Sequence, residues 1–213
     1  MIRQNLCGLI NYLIRAFNKM LKNNQGETTM SKKIALSSGH GLIIRGARGI
    51  MDEVDEARRI TDRVAEILIK KGATAAVFHD NESGNVNSNL NAIVNWHRQQ
   101  DAEADVSVHF NAFGNPDAHG TEVLCHTDGV NTALANRIAA AMATSGEFRL
   151  RPAQGGATMQ GVALRNNLFV INQLRSRPCV LLEVCFVTSP ADVSRYQKNF
   201  DAICEAIADA LLA

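Results

Sequence analysis

The sequence lacks several features that would each have assigned a class of protein at once. Its 213 residues include five cysteines but no CxxC pair, so neither a disulfide framework nor a cysteine-rich zinc knuckle is expected. Lysine plus arginine (22) nearly balance aspartate plus glutamate (21), for a formal charge of +1. No strong field would steer such a chain onto nucleic acid or anionic lipid, and we expect neither partner.

No short motif identifies a cofactor either. The glycines of GHGLIIRGARG are followed by no GK[ST] and form no GxGxxG pattern that opens a helix, so a phosphate cradle is not indicated. An HExxH-type metal motif is also missing. The apolar run near the start is short and is broken by Asn11 and Arg15, so it predicts no stable membrane span. The function must therefore be sought in residues that are far apart along the chain.

The first thirty residues differ in character from the rest. A helix-like apolar run is followed by the polar spacer NNQGETT. Three interpretations remain open: a translated leader or flexible tail before a start at Met30, an amphipathic segment that packs on the domain or a membrane, and a weak export signal. We expect residues 1–30 to form such a segment and residues 31–213 to form one folded domain, as a monomer.

From Lys32 onward, short apolar runs alternate with stretches of helical periodicity. This pattern is typical of an α/β fold with a single layered domain. The expected strands are 34–38, 74–78, 105–112, 121–126 and 178–186. The expected helices are 52–71, 90–103 and 131–143, one that follows residue 166, and two closing helices from residue 190, with an irregular stretch at 146–162.

Polar residues stand at the ends of these elements. His40 follows the first strand, His109 ends DVSVH, and Glu183 interrupts the apolar run VLLEVCF. Glu53 lies in the first turn of the first helix. Sites in α/β sheets are built at the carboxyl ends of strands, so these four side chains could converge.

Two imidazoles and one carboxylate suit zinc, because they leave a coordination position for water. A second, free carboxylate could then take the proton of that water as it attacks a carbonyl. We assign Glu53 to the metal and Glu183 to the base, because an apolar strand should raise the pKa of Glu183.

Other residues compete for the metal. Acids near the start of the first helix could each replace Glu53 or simply favour the positive end of the helix dipole: Asp52, Asp55 and Glu56. His119 precedes the strand 121–126 and His126 ends it, and either could replace His40 or His109. Spacing alone does not choose among them.

For Glu183 the structural alternative is a buried ion pair. An isolated charge in VLLEVCF would be costly, and Arg165 or Arg175 could neutralise it. A glutamate paired in this way would not be a base. The two interpretations differ in whether Glu183 has a cationic partner.

Four segments in order resemble one enzyme family. SSGHG is followed by RGARGIMDEVDEARRITDRVAEILIKKG, then by ADVSVHFNAF with HGTEVL, then by RPCVLLEVCFVTSPAD. Together they resemble the zinc-dependent N-acetylmuramoyl-L-alanine amidases of the type-3 family, which include bacterial autolysins and phage endolysins. The resemblance runs from about Lys32 to the C-terminus.

The resemblance implies roles that match the assignment above. It implies a twisted, mixed and mostly parallel sheet with helices on both faces, and one zinc ion per chain. The implied residues are His40, Glu53 and His109 as zinc ligands and Glu183 as the catalytic base. We expect Asn111 and Arg165 to contact the substrate. The helix end KKG favours Glu53 over Glu56 as the acidic ligand.

The implied reaction is hydrolysis of the peptidoglycan amide between the lactyl group of N-acetylmuramic acid and the L-alanine of the stem peptide. We expect synthesis in the bacterial cytoplasm and action on the cell wall, as a phage or prophage lysis enzyme or after export. Two alternatives stay open. One is a zinc carboxypeptidase-like peptidase in which Arg165 or Arg151 grips a terminal carboxylate, and the other is a non-catalytic muropeptide-binding module.

Overall fold

The computed structural model describes residues 31–213, so the expectations for residues 1–30 lie outside the described part. Six strands and five helices follow one another in this part of the chain. In order they are β1 (Lys33–Ser38), α1 (Glu53–Lys70), β2 (Thr74–Phe78), α2 (Val86–Gln100), β3 (Ala104–Asn111), β4 (Glu122–His126), α3 (Thr132–Gly146), β5 (Val162–Arg165), α4 (Phe169–Gln173), β6 (Cys179–Phe186) and α5 (Pro190–Leu212).

The strands form one mixed sheet in the order β2-β1-β3-β6-β4-β5. The first four of these run parallel, and β4 and β5 run parallel to each other but antiparallel to β6. Long apolar runs such as that of β6 fit a strand buried on both faces of a largely parallel sheet. The expected fold class, an α/β domain with a mixed and mostly parallel sheet, is confirmed.

Helices cover both faces of this sheet. On one face, α1, α3 and α5 pack on the strands and enclose the main apolar core, in which Leu36, Val106 and Leu182 are fully buried. On the other face, α2 and the short α4 cover smaller apolar clusters. Within residues 31–213, no helix has the length and apolar character needed to cross a membrane.

Two expected boundaries were wrong for local reasons. The helix α2 begins at Val86, four residues before the expected start, because Asn85 and Ser88 form a capping box that satisfies its first N–H groups. The segment after residue 166 contains only the five-residue α4. The two closing helices expected from residue 190 follow each other directly in α5, with the non-helical residue Asn199 at the kink between them.

The strand β5 was not expected. It spans four residues beside a glycine-rich stretch, and so short a run carries too little alternation to be recognised. In the structure β5 pairs with β4 on one side, and on its other side Ala163 forms an isolated bridge with Gln154.

A buried polar network lies under α2. His97 places Nδ1 2.8 Å from Asp105 Oδ1 and Nε2 2.9 Å from Ser37 Oγ. All three residues are at most 1% exposed. Arg177 closes the network, with Nε 2.5 Å from Asp105 Oδ2. Because each of these buried groups has a partner, the network ties α2 to β1 and β3 without an unpaired charge.

Asp192 holds the other side of the sheet together. Its side chain is fully buried, and Oδ2 accepts hydrogen bonds from the backbone N–H of Gly120 (2.8 Å) and of Phe186 (3.1 Å). These donors stand just before β4 and at the end of β6, whereas Asp192 lies in the first turn of α5. One carboxylate therefore joins three elements, at a helix N-terminus where negative charge is favourable.

We expect Asp192→Ala to lower the free energy of unfolding by about 2–4 kcal/mol, because it leaves two buried N–H groups without an acceptor. Urea denaturation followed by circular dichroism measures the change. Asp201→Ala is the matched control, because Asp201 is exposed and pairs only at the surface with Arg63. Equal urea midpoints for the two variants would show that the hydrogen bonds of Asp192 do not stabilise the junction of β4, β6 and α5.

Candidate active site

Three of the expected side chains meet where β1 and β3 end and α1 begins. Glu53 Oε1 lies 3.4 Å from His40 Nε2 and 3.1 Å from His109 Nδ1. One ligand atom from each of the three residues lies within 4.8 Å of the others. Among the described residues this is the only group of three or more His, Cys, Asp or Glu side chains placed to hold a metal ion.

Glu53 is held in place by the backbone. Its side chain is only 4% exposed. Oε2 accepts from the N–H of Ala47 (2.6 Å), and Oε1 accepts from the N–H of Phe110 (3.1 Å). Burial by itself would raise the pKa of Glu53, but hydrogen bonds from His109 and His40 and their charges outweigh burial and lower it. The carboxylate is therefore ionised and directed at the two imidazoles.

The competing acids of α1 are engaged elsewhere. Asp52 caps the helix by accepting from Val54 N–H and pairs with Arg45. Asp55 also contacts Arg45, whereas Glu56 accepts from the hydroxyl of Tyr196 (2.7 Å). Glu53 alone of these acids faces the histidines.

His109 is fixed by its surroundings. Its Nε2 lies 3.0 Å from Ser107 Oγ, which leaves Nδ1 directed at Glu53. Burial lowers the pKa of the His109 imidazole, more than the Glu53 carboxylate raises it. Histidine binds a metal as a neutral ring whose other nitrogen is held by a hydrogen bond, and here Ser107 holds Nε2 while Nδ1 points into the cluster.

Two glycines leave space for these rings. A Cβ on Gly39 would lie 1.8 Å from Nε2 of His109. A Cβ on Gly46 would lie 2.4 Å from Glu53 Oε2, and the positive φ of 69° at Gly46 also favours glycine. The glycines of the β1–α1 loop therefore let the loop backbone pass close to the side chains of the site, and they do not form a phosphate-binding loop.

The remaining histidines lie outside this cluster. His97 belongs to the buried network under α2, and His79 lies between Ser38 Oγ (2.9 Å) and Asp62 Oδ1 (3.0 Å). His126 pairs with Asp128 at the far end of β4, and His119 Nδ1 lies 2.6 Å from the Asp117 carbonyl. The structure does not bring His119 or His126 to the metal cluster.

Glu183 lies one strand away from His109. The two residues are opposite each other in the parallel pair β3–β6. The atom Oε2 of Glu183 is buried without a hydrogen-bond partner, and no ion pair within residues 31–213 includes Glu183. Burial, and then the charges of Glu53 and Glu122, raise its pKa well above the ordinary glutamate value. The alternative interpretation, an ion pair of Glu183 with Arg165 or Arg175, is therefore not found.

The other expected residues extend the site along the sheet. Asn111 Nδ2 donates to Glu122 Oε1 (3.1 Å), and Glu122 is opposite Glu183 in the antiparallel pair β4–β6. Gln154 Nε2 donates to Glu122 Oε2 (3.3 Å), and Arg165 donates to Gln154 Oε1. Arg165 is thus not adjacent to the three-residue cluster but is linked to it through Gln154 and Glu122.

Sequence reasoning missed Ser107 and Glu122. Both lie in strands whose alternation was recognised, and each shares a face with an expected residue, His109 or Glu183. The sequence did carry a signal for Ser107: residues two apart in a strand point to the same face, so DVSVH places Ser107 beside His109. No sequence signal identifies Glu122, because its position depends on which strand pairs with β6.

The donor set fits zinc. In a tetrahedral zinc site with ligands about 2.05 Å from the metal, ligand atoms lie roughly 3.3 Å apart. The two contacts to Glu53 Oε1, 3.4 and 3.1 Å, are close to that spacing, and all three ligand atoms lie within 4.8 Å of one another. Two nitrogens and one oxygen also leave a fourth position open.

Comparisons with known proteins give two uncharacterised relatives. An uncharacterised 38.4 kDa protein of Clostridium perfringens is 28% identical over 181 residues, which cover 83% of this chain and 49% of that protein. A second protein of the same species is 29% identical over 183 residues, 84% of this chain and 51% of the relative. The chain therefore spans about half the length of the curated relatives it matches.

Solved structures share the fold. The N-acetylmuramoyl-L-alanine amidase AmiC2 of Nostoc punctiforme superposes with a TM-score of 0.70 at 25% identity, over 85% of this chain and 95% of that one. The catalytic domain of the endolysin CD27L, which targets Clostridia Difficile, gives 0.72 at 22% identity, over 85% and 97% of the two chains. At 22% identity, the similarity to the CD27L domain establishes a shared fold and nothing further.

The match to a family model covers nearly all of the described residues. The model that matches is described as N-acetylmuramoyl-L-alanine amidase, and it matches residues 34–213. That range includes the histidine–glutamate cluster and Glu183. The chain belongs to the N-acetylmuramoyl-L-alanine amidase family.

Proposed function

We propose that the chain is a zinc-dependent peptidoglycan amidase that cleaves the bond between N-acetylmuramic acid and the L-alanine of the stem peptide. One observation carries the proposal: a cluster of two imidazoles and one carboxylate lies one strand from an unpaired carboxylate with a raised pKa. Family membership supplies the substrate. In this proposal His40, Glu53 and His109 hold one zinc ion per chain, and Glu183 is the base.

Each residue would have a separate task. When bound, zinc would polarise the scissile carbonyl and make a water molecule more acidic. Glu183 would accept the proton of the attacking water and return it to the amide nitrogen as the carbon–nitrogen bond breaks. A carboxylate with a raised pKa suits both transfers, because its proton affinity lies nearer to neutrality.

Asn111 and Arg165 are proposed to contact the substrate. Asn111 ends β3 just beyond His109, where its amide already donates to Glu122. Arg165 stands at the end of β5, opposite His126 at the far end of β4, and its side chain reaches toward Glu183 through Gln154 and Glu122. The substrate would accordingly lie across β3, β6 and β4 and approach Arg165 at Gln154. We propose that the protein acts on the cell wall as a monomer.

We expect His109→Ala to weaken zinc binding by more than about a hundredfold, because it removes a ligand and not only a supporting group. Competition with a chromogenic chelator measures the affinity. His126→Ala is the matched control, since His126 lies outside the cluster and should leave affinity unchanged. Equal loss in both variants would exclude the proposed ligand set.

We expect Glu183→Gln to abolish amide hydrolysis while zinc binding remains. Mass spectrometry of digested purified peptidoglycan is the measurement, with a chelated wild-type sample as a second control. The wild type should release stem peptides that begin with L-alanine and leave glycan strands intact. A variant with full activity would show that Glu183 is not the base.

The same digest separates the alternative functions. Cleavage between two residues of the stem peptide would show that the protein is a carboxypeptidase-like peptidase. Binding of muropeptides without any cleavage by the zinc-loaded wild type would establish the binding module. Either result would overturn the amidase proposal.

The pH dependence of activity should reflect the raised pKa of Glu183. Because the base works as a carboxylate, kcat/KM should fall as the pH drops through a value above the ordinary glutamate pKa. Glu122 contributes to the upward shift, so Glu122→Gln should move this acid limb to lower pH. Profiles of kcat/KM against pH for both proteins test this, and an upward or absent shift in the variant would contradict it.

A further inference from the structure

A row of polar side chains continues past Glu183 on one face of the sheet. Residues that are opposite each other in neighbouring strands share a face, so His109, Glu183 and Glu122 stand in line across β3, β6 and β4. On β5 the same face carries Ala163 and Arg165, which pair with Leu124 and His126 of β4. The row therefore leads from the metal cluster toward the edge strand.

Two arginines and a glutamine surround Glu122 at the end of this row. Gln154 bridges Glu122 and Arg165 by donating to one and accepting from the other. Its side chain passes over β5 at Ala163, its partner in an isolated bridge, where a methyl group leaves room. Arg151 places Nε 3.4 Å from Glu122 Oε1, and its guanidinium lies 5.0 Å from the centre of the Phe186 ring.

The two guanidinium groups have a single ion-paired acid between them. Glu122 is the one acid paired with Arg151, and no ion pair in residues 31–213 includes Arg165. The Nε of Arg151 is buried without a hydrogen bond. A cavity of about 220 Å³ opens beside Arg151 and is lined also by Arg149, His119 and the acid Asp117. The group of Arg151, Gln154 and Arg165, which we term the arginine subsite, therefore carries two guanidinium groups with spare donors.

We propose that the arginine subsite binds a carboxylate of the stem peptide, on the leaving-group side of the scissile amide. The inference rests on the proposed amidase function and adds the chemical group that the site selects. Planar guanidinium groups suit carboxylates because they can donate two parallel hydrogen bonds. The sugar chain is a poorer occupant, because its hydroxyls and acetamides carry no charge to match the arginines.

Spacing identifies the carboxylate. The Arg165 backbone lies two strand spacings from Glu183, roughly 10 Å, and is also displaced along the strands, because Arg165 pairs with His126 and not with Glu122. Its guanidinium returns to the site by donating to Gln154, whose amide donates to Glu122, the residue opposite Glu183. An extended peptide advances about 3.3 Å per residue, so a group on the second residue can reach the Gln154 end of the subsite. In stem peptides that residue is D-glutamate joined through its γ-carboxyl, so its α-carboxyl is free or, in some walls, amidated. The subsite would distinguish these two forms.

The test is a pair of tripeptides that differ only in this group. L-Ala-γ-D-Glu-L-Lys keeps the α-carboxylate, and L-Ala-γ-D-isoGln-L-Lys carries a carboxamide there. Calorimetric titration of the full zinc-loaded chain measures the affinity for each as a reaction product. We expect the acidic peptide to bind at least about tenfold more tightly, as a charge-assisted hydrogen bond allows.

Variants assign the preference to the subsite. Arg165→Gln and Arg151→Gln should each reduce the preference for the acidic peptide severalfold, whereas the control Arg175→Gln should keep it, because Arg175 lies on the exposed loop after α4. Circular dichroism would verify folding of each variant. Equal affinity of the wild type for the two peptides would overturn the proposal, as would a preference that survives both arginine substitutions.

Measuring both binding and cleavage separates failure of the arginine subsite from failure of the proposed amidase function. A preference for the acidic peptide in a chain that cleaves no peptidoglycan would retain the subsite and reject the amidase. Cleavage of acidic and amidated wall substrates with equal kcat/KM, beside equal tripeptide affinities, would retain the amidase and reject the subsite.

Discussion

The Glu53 carboxylate joins the parts on which the site depends. It stands at the N-terminus of α1, accepts from the backbone of the β1–α1 loop through Ala47 and from the end of β3 through Phe110, and faces both His40 and His109. A buried carboxylate is costly unless it is hydrogen-bonded. The same contacts that make its burial tolerable also bring a loop, a helix and a strand into the geometry that suits a metal.

The chemistry of the site then follows from strand register. Because β3, β6 and β4 are adjacent, the facing positions His109, Glu183 and Glu122 form a row across the sheet. A slip of one residue in β6 would turn Glu183 into the main apolar core. Buried networks at Asp105 and Asp192 pin β3, β6 and the start of β4, so the register is held by polar contacts as well as by apolar packing.

Local pattern was enough for most of the fold and for singling out the four side chains that are proposed to carry the reaction. Strand ends marked by His40 and His109, a charge inside an apolar strand at Glu183, and acids at the start of a helix are each visible in a short window. The choice of Glu53 over its neighbours needed more than pattern. In the structure Asp52, Asp55 and Glu56 are bonded to Arg45 or Tyr196, contacts that join residues up to 140 positions apart.

The sequence by itself determined an α/β domain, the strands that carry the site and the residue types able to bind a metal and move a proton. This was possible because periodicity and isolated polar residues are local properties. Tertiary structure alone decided that β4 lies beside β6 in reverse, that the unforeseen strand β5 extends the sheet, and that Glu122, Gln154 and Arg151 gather beside Glu183. Those placements depend on the pairing of distant strands, which no single stretch of the chain encodes.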